Sequence, residues 1–109
     1  MKQAVLDLFN RNSLVLIAGP CAAESKELCL EVANELQKLT NELGVGYIFK
    51  ASFDKANRTS ISSYRGPGLD AGLEMLAAVR SELDLPVLTD IHLPEQAATV
   101  AGVVDVLQI

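Results

Sequence analysis

The sequence predicts an α/β fold built on parallel strands, in the order β-α-β-α-β-α-β. Four short apolar runs, rich in branched or aromatic residues and bounded by Gly, Pro or polar residues, indicate strands. Their hydrophobicity is continuous rather than alternating, which is typical of strands that are covered on both faces in a parallel sheet. Each interval between them contains a stretch of helical periodicity. This pattern leaves two architectures open: an open doubly wound sheet, and half of a (β/α)8 barrel.

The predicted strands span residues 14–18, 46–49, 86–89 and 103–107. The first predicted helix runs from Lys26 to Leu43, with Ser25 as its N-cap and Gly44 as the left-handed residue that ends it. The apolar stripe that we expect on this helix consists of Leu28, Val32, Leu36, Leu39 and Leu43.

A second predicted helix runs from Leu69 to Leu83, and a third begins at Pro94 and continues to Ala101. Leucines at helical spacing mark one side of the second helix: Leu69, Leu73, Leu76 and Leu83. Residues 51–68 show neither helical nor strand periodicity. A loop of that length inside a compact domain is usually functional or disordered.

Composition limits the classes of protein that the chain can belong to. It has 109 residues, of which 50% are hydrophobic and 21% charged, the balance of one small globular domain. A net charge of −5 argues against a nucleic-acid partner, and no apolar run approaches the ~18 residues of a membrane helix. Residues 1–12 do not resemble a secretory signal. Two cysteines without repeat spacing predict reduced thiols and a cytoplasmic location.

Reactive or hydrogen-bonding side chains follow each of the four predicted strands. In both candidate architectures, ligands bind at the carboxyl ends of the strands. Packing does not require polar groups at all four ends, although each one alone could simply emerge into solvent. The residues in question are Cys21, Lys50, Ser52, Asp90, His92 and Gln108.

The loop after the second strand is cationic in an otherwise acidic chain. Lys50, Lys55, Arg58 and Arg65 fall within sixteen residues that contain a single acid, Asp54. Hydroxyl groups accompany them at Ser52, Thr59, Ser60, Ser62 and Ser63. Fixed cations in a cleft stabilise phosphate or carboxylate groups. The sequence therefore predicts an anion site for phosphate-bearing metabolites, and the alternative is a solvated basic loop.

The two cysteines occupy different kinds of position. Cys29 lies inside the first predicted helix, where a small apolar side chain packs. Cys21 follows Gly-Pro at the end of the first strand, where a thiolate could bind a metal together with His92, the only histidine. A metal site needs about four ligands, so these two residues alone give a weak indication.

Five motifs in this chain closely resemble the N-terminal part of the 3-deoxy-D-manno-octulosonate 8-phosphate synthase family. The resemblance covers residues 14–109, and the K-A-N-R-T-S run is its most specific part, whereas A-G-P-C is shared with related aldol-type synthases. The motifs are A-G-P-C-A-A-E-S (18–25), F-K-A-S-F-D-K-A-N-R-T-S (49–60), S-Y-R-G-P-G-L (63–69), T-D-I-H (89–92) and D-V-L-Q-I (105–109).

The resemblance implies a (β/α)8 barrel that condenses phosphoenolpyruvate with D-arabinose 5-phosphate. The products are 3-deoxy-D-manno-octulosonate 8-phosphate and phosphate, on the route to lipopolysaccharide. By resemblance, Ser52 and Lys55 hold the phosphoenolpyruvate carboxylate with Lys50 alongside, and Gln108 lies beside the same site. Catalytic roles are implied for Lys50, Lys55 and Asp90, with Asp90 hydrogen-bonding near the aldehyde or the sugar hydroxyls.

The resemblance also implies how the second substrate and a metal are bound. Asn57, Arg58 and Thr59 would grip the arabinose phosphate, with Thr59 in place of the commoner Ser. Members with Cys at the position of Cys21 need a divalent metal, so Cys21 resembles a metal ligand. The family's other ligands, a His, a Glu and an Asp, lie in later barrel strands; His92 matches none of them, which favours a supporting or structural role for it.

The length predicts that residues 1–109 form a single domain, the N-terminal part of a barrel that needs ~250 residues to close. We expect this part to be inactive alone, and its unpaired sheet edges to favour a homo-oligomer or association with the missing half. Two alternatives remain open. One is a synthase of the 3-deoxy-D-arabino-heptulosonate 7-phosphate type, which uses erythrose 4-phosphate and typically carries a K-P-R-T run. The other is a non-catalytic βα module that binds a sugar phosphate or mediates oligomerisation.

Overall fold

The computed structural model describes residues 2–54 and 66–109. Within them, a first helix precedes strands and helices that alternate along the chain. The elements are α1 (Lys2–Asn10), β1 (Val15–Ala22), α2 (Lys26–Leu43), β2 (Gly46–Ser52), α3 (Leu69–Leu83), β3 (Val87–Asp90), α4 (Ala97–Ala101, after a 3₁₀ turn at Pro94–Gln96) and β4 (Val106–Gln108).

The four strands form one parallel sheet in the order β1-β2-β3-β4. A doubly wound sheet reverses its strand order at a switch point, whereas a (β/α)8 barrel adds each strand beside the last. Side chains from α2, α3 and α4 all pack into one buried cluster with the same face of the sheet. Sequential order with the connecting helices on one face selects the barrel architecture over the doubly wound alternative.

The two faces of the sheet have different coverings. Tyr47, Phe49 and Val87 face the connecting helices, whereas Ile48 and Leu88 lie on the opposite, inner face. There α1 covers the amino half of the strands, through Val5 and the partly buried Leu8. The sequence analysis did not predict α1. Toward the carboxyl ends of the strands, the side chains on the inner face are polar.

Helix α2 has the predicted boundaries and caps. The hydroxyl oxygen of Ser25 accepts a hydrogen bond from the Leu28 N–H at 3.0 Å, which satisfies one of the free donors of the first turn. Gly44 adopts a φ of 68°, the left-handed conformation that a residue with a Cβ adopts only at a cost.

The predicted apolar stripe of α2 is not its most buried face. The fully buried residues are Cys29, Ala33 and Thr40, while Leu39 and Leu43 are 48% and 68% exposed. Small side chains allow the helix to lie close to the sheet, and the Thr40 hydroxyl satisfies itself by donating to the Leu36 carbonyl at 2.8 Å. Of the predicted stripe, Leu36 packs against the margin of the buried cluster, whereas Leu39 and Leu43 lie to the side of the contact.

Strand β1 extends four residues past its predicted end at Ala18, because a bulge carries it on to Ala22. Between the pairs Ala18↔Phe49 and Cys21↔Ala51, Gly19 and Pro20 stand opposite the single residue Lys50. A Cβ at residue 19 would overlap the Lys50 carbonyl oxygen. Only glycine allows this close approach.

The buried carboxylate of Asp105 joins α3, β3 and the start of β4. It accepts hydrogen bonds from Arg80 Nε at 3.1 Å and from the Val87 N–H at 3.0 Å. The Asp105 N–H donates in turn to the Val87 carbonyl at 3.0 Å. These contacts fix the amino ends of the two strands whose carboxyl ends carry Asp90 and Gln108.

None of the helices formed by residues 2–54 and 66–109 is long and apolar enough to cross a membrane.

Candidate functional site at the carboxyl ends of the strands

Four of the predicted site residues share the inner face of the sheet. Side chains alternate along a strand, so Lys50 and Ser52 continue the row of Ile48 on β2. Asp90 likewise continues the row of Leu88, and Gln108 continues the row of Val106. Asp90 and Gln108 are also direct partners in the β3–β4 register, and the Ile91 N–H donates to the Gln108 carbonyl at 3.0 Å.

Lys50 brings a positive charge to this face. Lys50 is partly buried, and its side chain forms no ion pair with any other residue of the described ranges. Its backbone carbonyl lies directly against Gly19 of β1, which leaves no space for a Cβ at that residue. The Lys50 ammonium group extends from a constrained backbone and has no counter-ion among these residues. Such a group is suited to bind an anion.

Asp90 presents one engaged and one unengaged carboxylate oxygen. Oδ2 lies 3.4 Å from Nε2 of His92. Oδ1 is buried and has no hydrogen-bond partner among the residues that the structure describes. A buried acceptor left unpaired costs about 1–3 kcal/mol, so such groups are rare outside functional sites. The atom is positioned to accept a hydrogen bond from a ligand donor.

The Ser52 hydroxyl is occupied within its own turn. It donates to the Asp54 carbonyl at 2.9 Å and accepts from the Asp54 N–H at 3.2 Å. A hydroxyl has a single proton to donate. Ser52 could therefore donate to a substrate carboxylate only by giving up its bond to the Asp54 carbonyl, and its predicted role stays a prediction.

Thr89 is a site-shaping residue for which the sequence analysis assigned no role. Its buried hydroxyl donates to the Ala51 carbonyl at 2.7 Å. The backbone register between β2 and β3 comprises only Phe49↔Val87 and Lys50↔Leu88. Beyond these pairs, the hydrogen bond from the Thr89 side chain connects the two strands. A lone threonine in an otherwise apolar strand was the available signal.

Cys21 is exposed at the end of β1 with a φ of 74°, an unusual conformation for a residue that carries a Cβ. Within residues 2–54 and 66–109, no three His, Cys, Asp or Glu side chains come together as a metal site. The thiol fits as one ligand, and these ranges do not complete a coordination shell, so we derive no chemical step through a metal.

Cys29 is buried in the core, as predicted. Burial raises the pKa of its thiol, and the nearby charge of Glu24 raises it further. An uncharged thiol is the state that packs in an apolar core.

Much of the predicted anion loop lies outside the described residues. This applies to the predicted substrate ligands Lys55, Asn57, Arg58 and Thr59, and to the accompanying Ser60, Ser62, Ser63 and Arg65. Their roles stay predictions from the sequence.

Among the described residues, cavities lie at both ends of the sheet. The larger, about 560 Å³, lies at the amino ends, where Arg11, Gly46 and Asp84 are among its lining residues. A smaller one of about 220 Å³ lies at the carboxyl ends, beside Phe53 and Gln96. Size favours the amino end, but Lys50 and Asp90, which line neither cavity, lie at the carboxyl end, and among the described residues the ammonium group of Lys50 has no ion pair and Oδ1 of Asp90 has no hydrogen bond. We place the candidate site there because chemistry is more specific than volume.

Comparison with known proteins shows which family the chain resembles. The model of the DAHP synthetase I family matches residues 9–109. The 2-dehydro-3-deoxyphosphooctonate aldolase of Bordetella bronchiseptica is 55% identical over 108 residues, covering 99% of this chain and 38% of the relative. The proteins of the same name from Verminephrobacter eiseniae and Desulfotalea psychrophila are 57% and 56% identical, over 99% and 88% of this chain and 38% and 34% of theirs.

The chain thus spans little more than a third of the length of these curated relatives. Three consecutive β/α units and a fourth parallel strand fit the first half of a (β/α)8 barrel, as the resemblance implied. With a family model matched over residues 9–109 of 109, the chain belongs to the DAHP synthetase I family.

Proposed function

We propose that this chain supplies part of the substrate site of a 2-dehydro-3-deoxyphosphooctonate aldolase, which condenses phosphoenolpyruvate with D-arabinose 5-phosphate. The observation that carries the proposal is the inner-face arrangement of Lys50, Asp90 and Gln108 at the carboxyl ends of the strands. Identity of 52–57% to relatives of that name supports it. Two anionic substrates match a site built from cations in an acidic chain.

The proposed reaction forms one carbon–carbon bond and breaks one carbon–oxygen bond. C3 of phosphoenolpyruvate attacks the aldehyde carbon of the aldose, and the aldehyde oxygen takes up a proton to become a hydroxyl. Water adds at C2 and gives up a proton. The bond between C2 and the ester oxygen then breaks while the hemiketal hydroxyl gives its proton to the departing phosphate, which leaves a ketone at C2.

Within this scheme the side chains of this chain bind and orient the reactants. Lys50, with Lys55, neutralises phosphoenolpyruvate and holds it within attack distance of the second anion. Asp90 accepts a hydrogen bond at Oδ1 from a hydroxyl of the aldose, and Gln108 lies beside the phosphoenolpyruvate site. Asn57, Arg58 and Thr59 bind the phosphate of the aldose, and Ser52 contributes once it releases the Asp54 carbonyl.

The proposal includes a divalent metal ion with Cys21 as one ligand. Such an ion would polarise the aldehyde or the attacking water. Metal content of the whole protein tests this part: Cys21→Ala loses the ion, whereas Cys29→Ala, the matched control at a buried thiol, retains it. Equal metal content in both variants would contradict the assignment of Cys21.

A homo-oligomer and a cytoplasmic location complete the proposal. An apolar surface lies beside β1, which is an edge strand in the sheet that the described residues form, and further β/α units or another subunit would cover it; the surface consists of Leu14, Leu16, Leu39 and Leu43. The free thiols of Cys21 and Cys29 suit a reducing compartment. Sedimentation of the whole protein as a monomer would contradict the oligomer.

Phosphate release by the whole protein that contains this chain tests the function. We expect release from phosphoenolpyruvate with arabinose 5-phosphate, and little with erythrose 4-phosphate. Arg58→Ala should weaken the binding of arabinose 5-phosphate far more than that of phosphoenolpyruvate. Equal losses for the two substrates would contradict the role of Arg58.

A second candidate is a synthase that uses erythrose 4-phosphate, and the name of the matched family model favours it. Preference for erythrose 4-phosphate in the same assay would establish this alternative. Binding of a sugar phosphate without phosphate release would instead support a non-catalytic module.

A further inference from the structure

We propose that His92 is a positioning residue that turns one oxygen of Asp90 toward the aldose, an inference that rests on the proposed function. His92 is the only histidine of the chain. The proposed chemistry does not use it, and it matches no metal ligand of the resembled family.

The contact between the two side chains is asymmetric. Nε2 of His92 lies 3.4 Å from Oδ2 of Asp90, and the side chains are only 25% and 22% exposed. Oδ1 of the same carboxylate is buried and unpaired among the residues that the structure describes. His92 therefore lies beside one of the two oxygens, and the other is the one that, among the described residues, a ligand donor would satisfy.

The imidazole packs against the ring of Phe53. Its ring meets the ring of Phe53 edge-on, at a centroid distance of 6.0 Å and an interplanar angle of 70°. Phe53 is buried against α3 at Gly72, where an added Cβ would overlap the Phe53 side chain. Because Phe53 is closely packed, it restricts the position of the His92 ring.

The backbone at His92 is fixed separately by Gln96. The Oε1 atom of Gln96 accepts hydrogen bonds from the N–H groups of His92 and Leu93, at 2.9 Å and 3.1 Å. A histidine held through both its ring and its backbone can fix the rotation of Asp90 about its terminal torsion, which is otherwise broad for a carboxylate. Preset orientation of a substrate-contacting group is how such residues contribute to rate.

The oriented oxygen and a positive charge share one face. Asp90 and Lys50 both project from the inner face of the sheet, so a ligand there meets a hydrogen-bond acceptor and a cation together. A polyhydroxylated phosphate presents hydroxyl donors and negative charge. That ligand chemistry is the one which His92 would help to select through Asp90.

Steady-state kinetics of the whole protein, with phenylalanine and glutamine at position 92, test the proposal. His92→Phe keeps a ring against Phe53 but loses the N–H group, whereas His92→Gln keeps an N–H donor near the position of Nε2. We expect His92→Phe to lower kcat by about 10- to 100-fold with little change in KM for phosphoenolpyruvate, and His92→Gln to restore most of it. Glu95→Gln, at an exposed position of the same loop, is the matched control and should leave kcat unchanged.

A double-mutant cycle separates positioning from a merely structural role. If His92 acts through Asp90, His92→Phe costs nothing further in kcat once Asp90→Asn is present. An equal fold-loss from His92→Phe in both backgrounds, or a His92→Phe enzyme with wild-type kcat and KM, would overturn the proposal.

The same cycle distinguishes failure of this inference from failure of the proposed function. Absence of phosphate release by the unsubstituted protein with either aldose would refute the proposed function. The cycle measured in urea midpoints then decides the contact: non-additive shifts for His92→Phe and Asp90→Asn support the coupling, and additive shifts overturn it.

Discussion

Replacing Asp105 by alanine should destabilise the chain more than the loss of any surface ion pair. The Asp105 side chain is 0% exposed, and the variant leaves the buried N–H group of Val87 without its hydrogen-bond acceptor. A hydrogen bond to a charged acceptor contributes about 1.5–3 kcal/mol. Arg80 is 38% exposed, so its ion pair adds no more than about 1 kcal/mol. The expected loss is therefore about 3 kcal/mol in the free energy of unfolding.

Urea unfolding monitored by circular dichroism measures this loss. For a slope of about 1.5 kcal/mol per molar urea, a loss of about 3 kcal/mol lowers the midpoint by about 2 M. Asp105→Asn keeps an acceptor for Val87 and should lose about half as much.

The matched control is Glu82→Gln, which breaks the half-exposed pair of Glu82 with Lys26 at 3.8 Å. Such exposed pairs contribute about 1 kcal/mol or less. If Asp105→Ala lowered the midpoint no more than Glu82→Gln does, the buried-carboxylate argument would be refuted.

Three further predictions concern strain and burial. Gly19→Ala should cost about 1–3 kcal/mol in unfolding free energy and weaken phosphoenolpyruvate binding in the whole protein, because the new Cβ displaces the Lys50 backbone; unchanged calorimetric affinity would contradict this. Asp84→Gly should raise the urea midpoint by relieving about 1 kcal/mol of strain at a φ of 51°, and a lower midpoint would contradict it. Burial raises the pKa of the Cys29 thiol, so the unfolded chain ionises first, above about pH 8.5, and the free energy of unfolding should fall from there as pH rises. The raised pKa of Tyr47 extends that fall above about pH 10, and Cys29→Ala should remove only the first part; a flat profile in the parent chain would show the argument to be wrong.

Continuous apolar runs and helix caps were sufficient to predict the alternation of strands and helices. The boundaries of α2, its N-cap at Ser25 and its end at Gly44 are confirmed, because local hydrogen bonding and backbone conformation decide them. The presence of polar groups at the carboxyl ends is confirmed at Asp90 and Gln108, which are partners in the register. These features depend on residues close to one another in the chain.

What the sequence analysis missed depends on contacts between distant residues. The buried face of α2 follows from how closely a helix of small residues can approach the sheet, which leucine spacing does not reveal. Helix α1 packs against the inner face through Val5, and this contact cannot be predicted from the sequence of the helix alone. The bulge at Gly19 and the Thr89 bond to the Ala51 carbonyl likewise exist only once strands are paired.

A crystal structure of the whole protein with phosphoenolpyruvate and a non-reacting arabinose 5-phosphate analogue tests the placement of the site most directly. We expect phosphoenolpyruvate within hydrogen-bonding distance of Lys50 Nζ, and a sugar hydroxyl that donates to Asp90 Oδ1. Ligand density in the amino-end cavity beside Arg11 and Asp84, with the carboxyl ends of the strands empty, would contradict it.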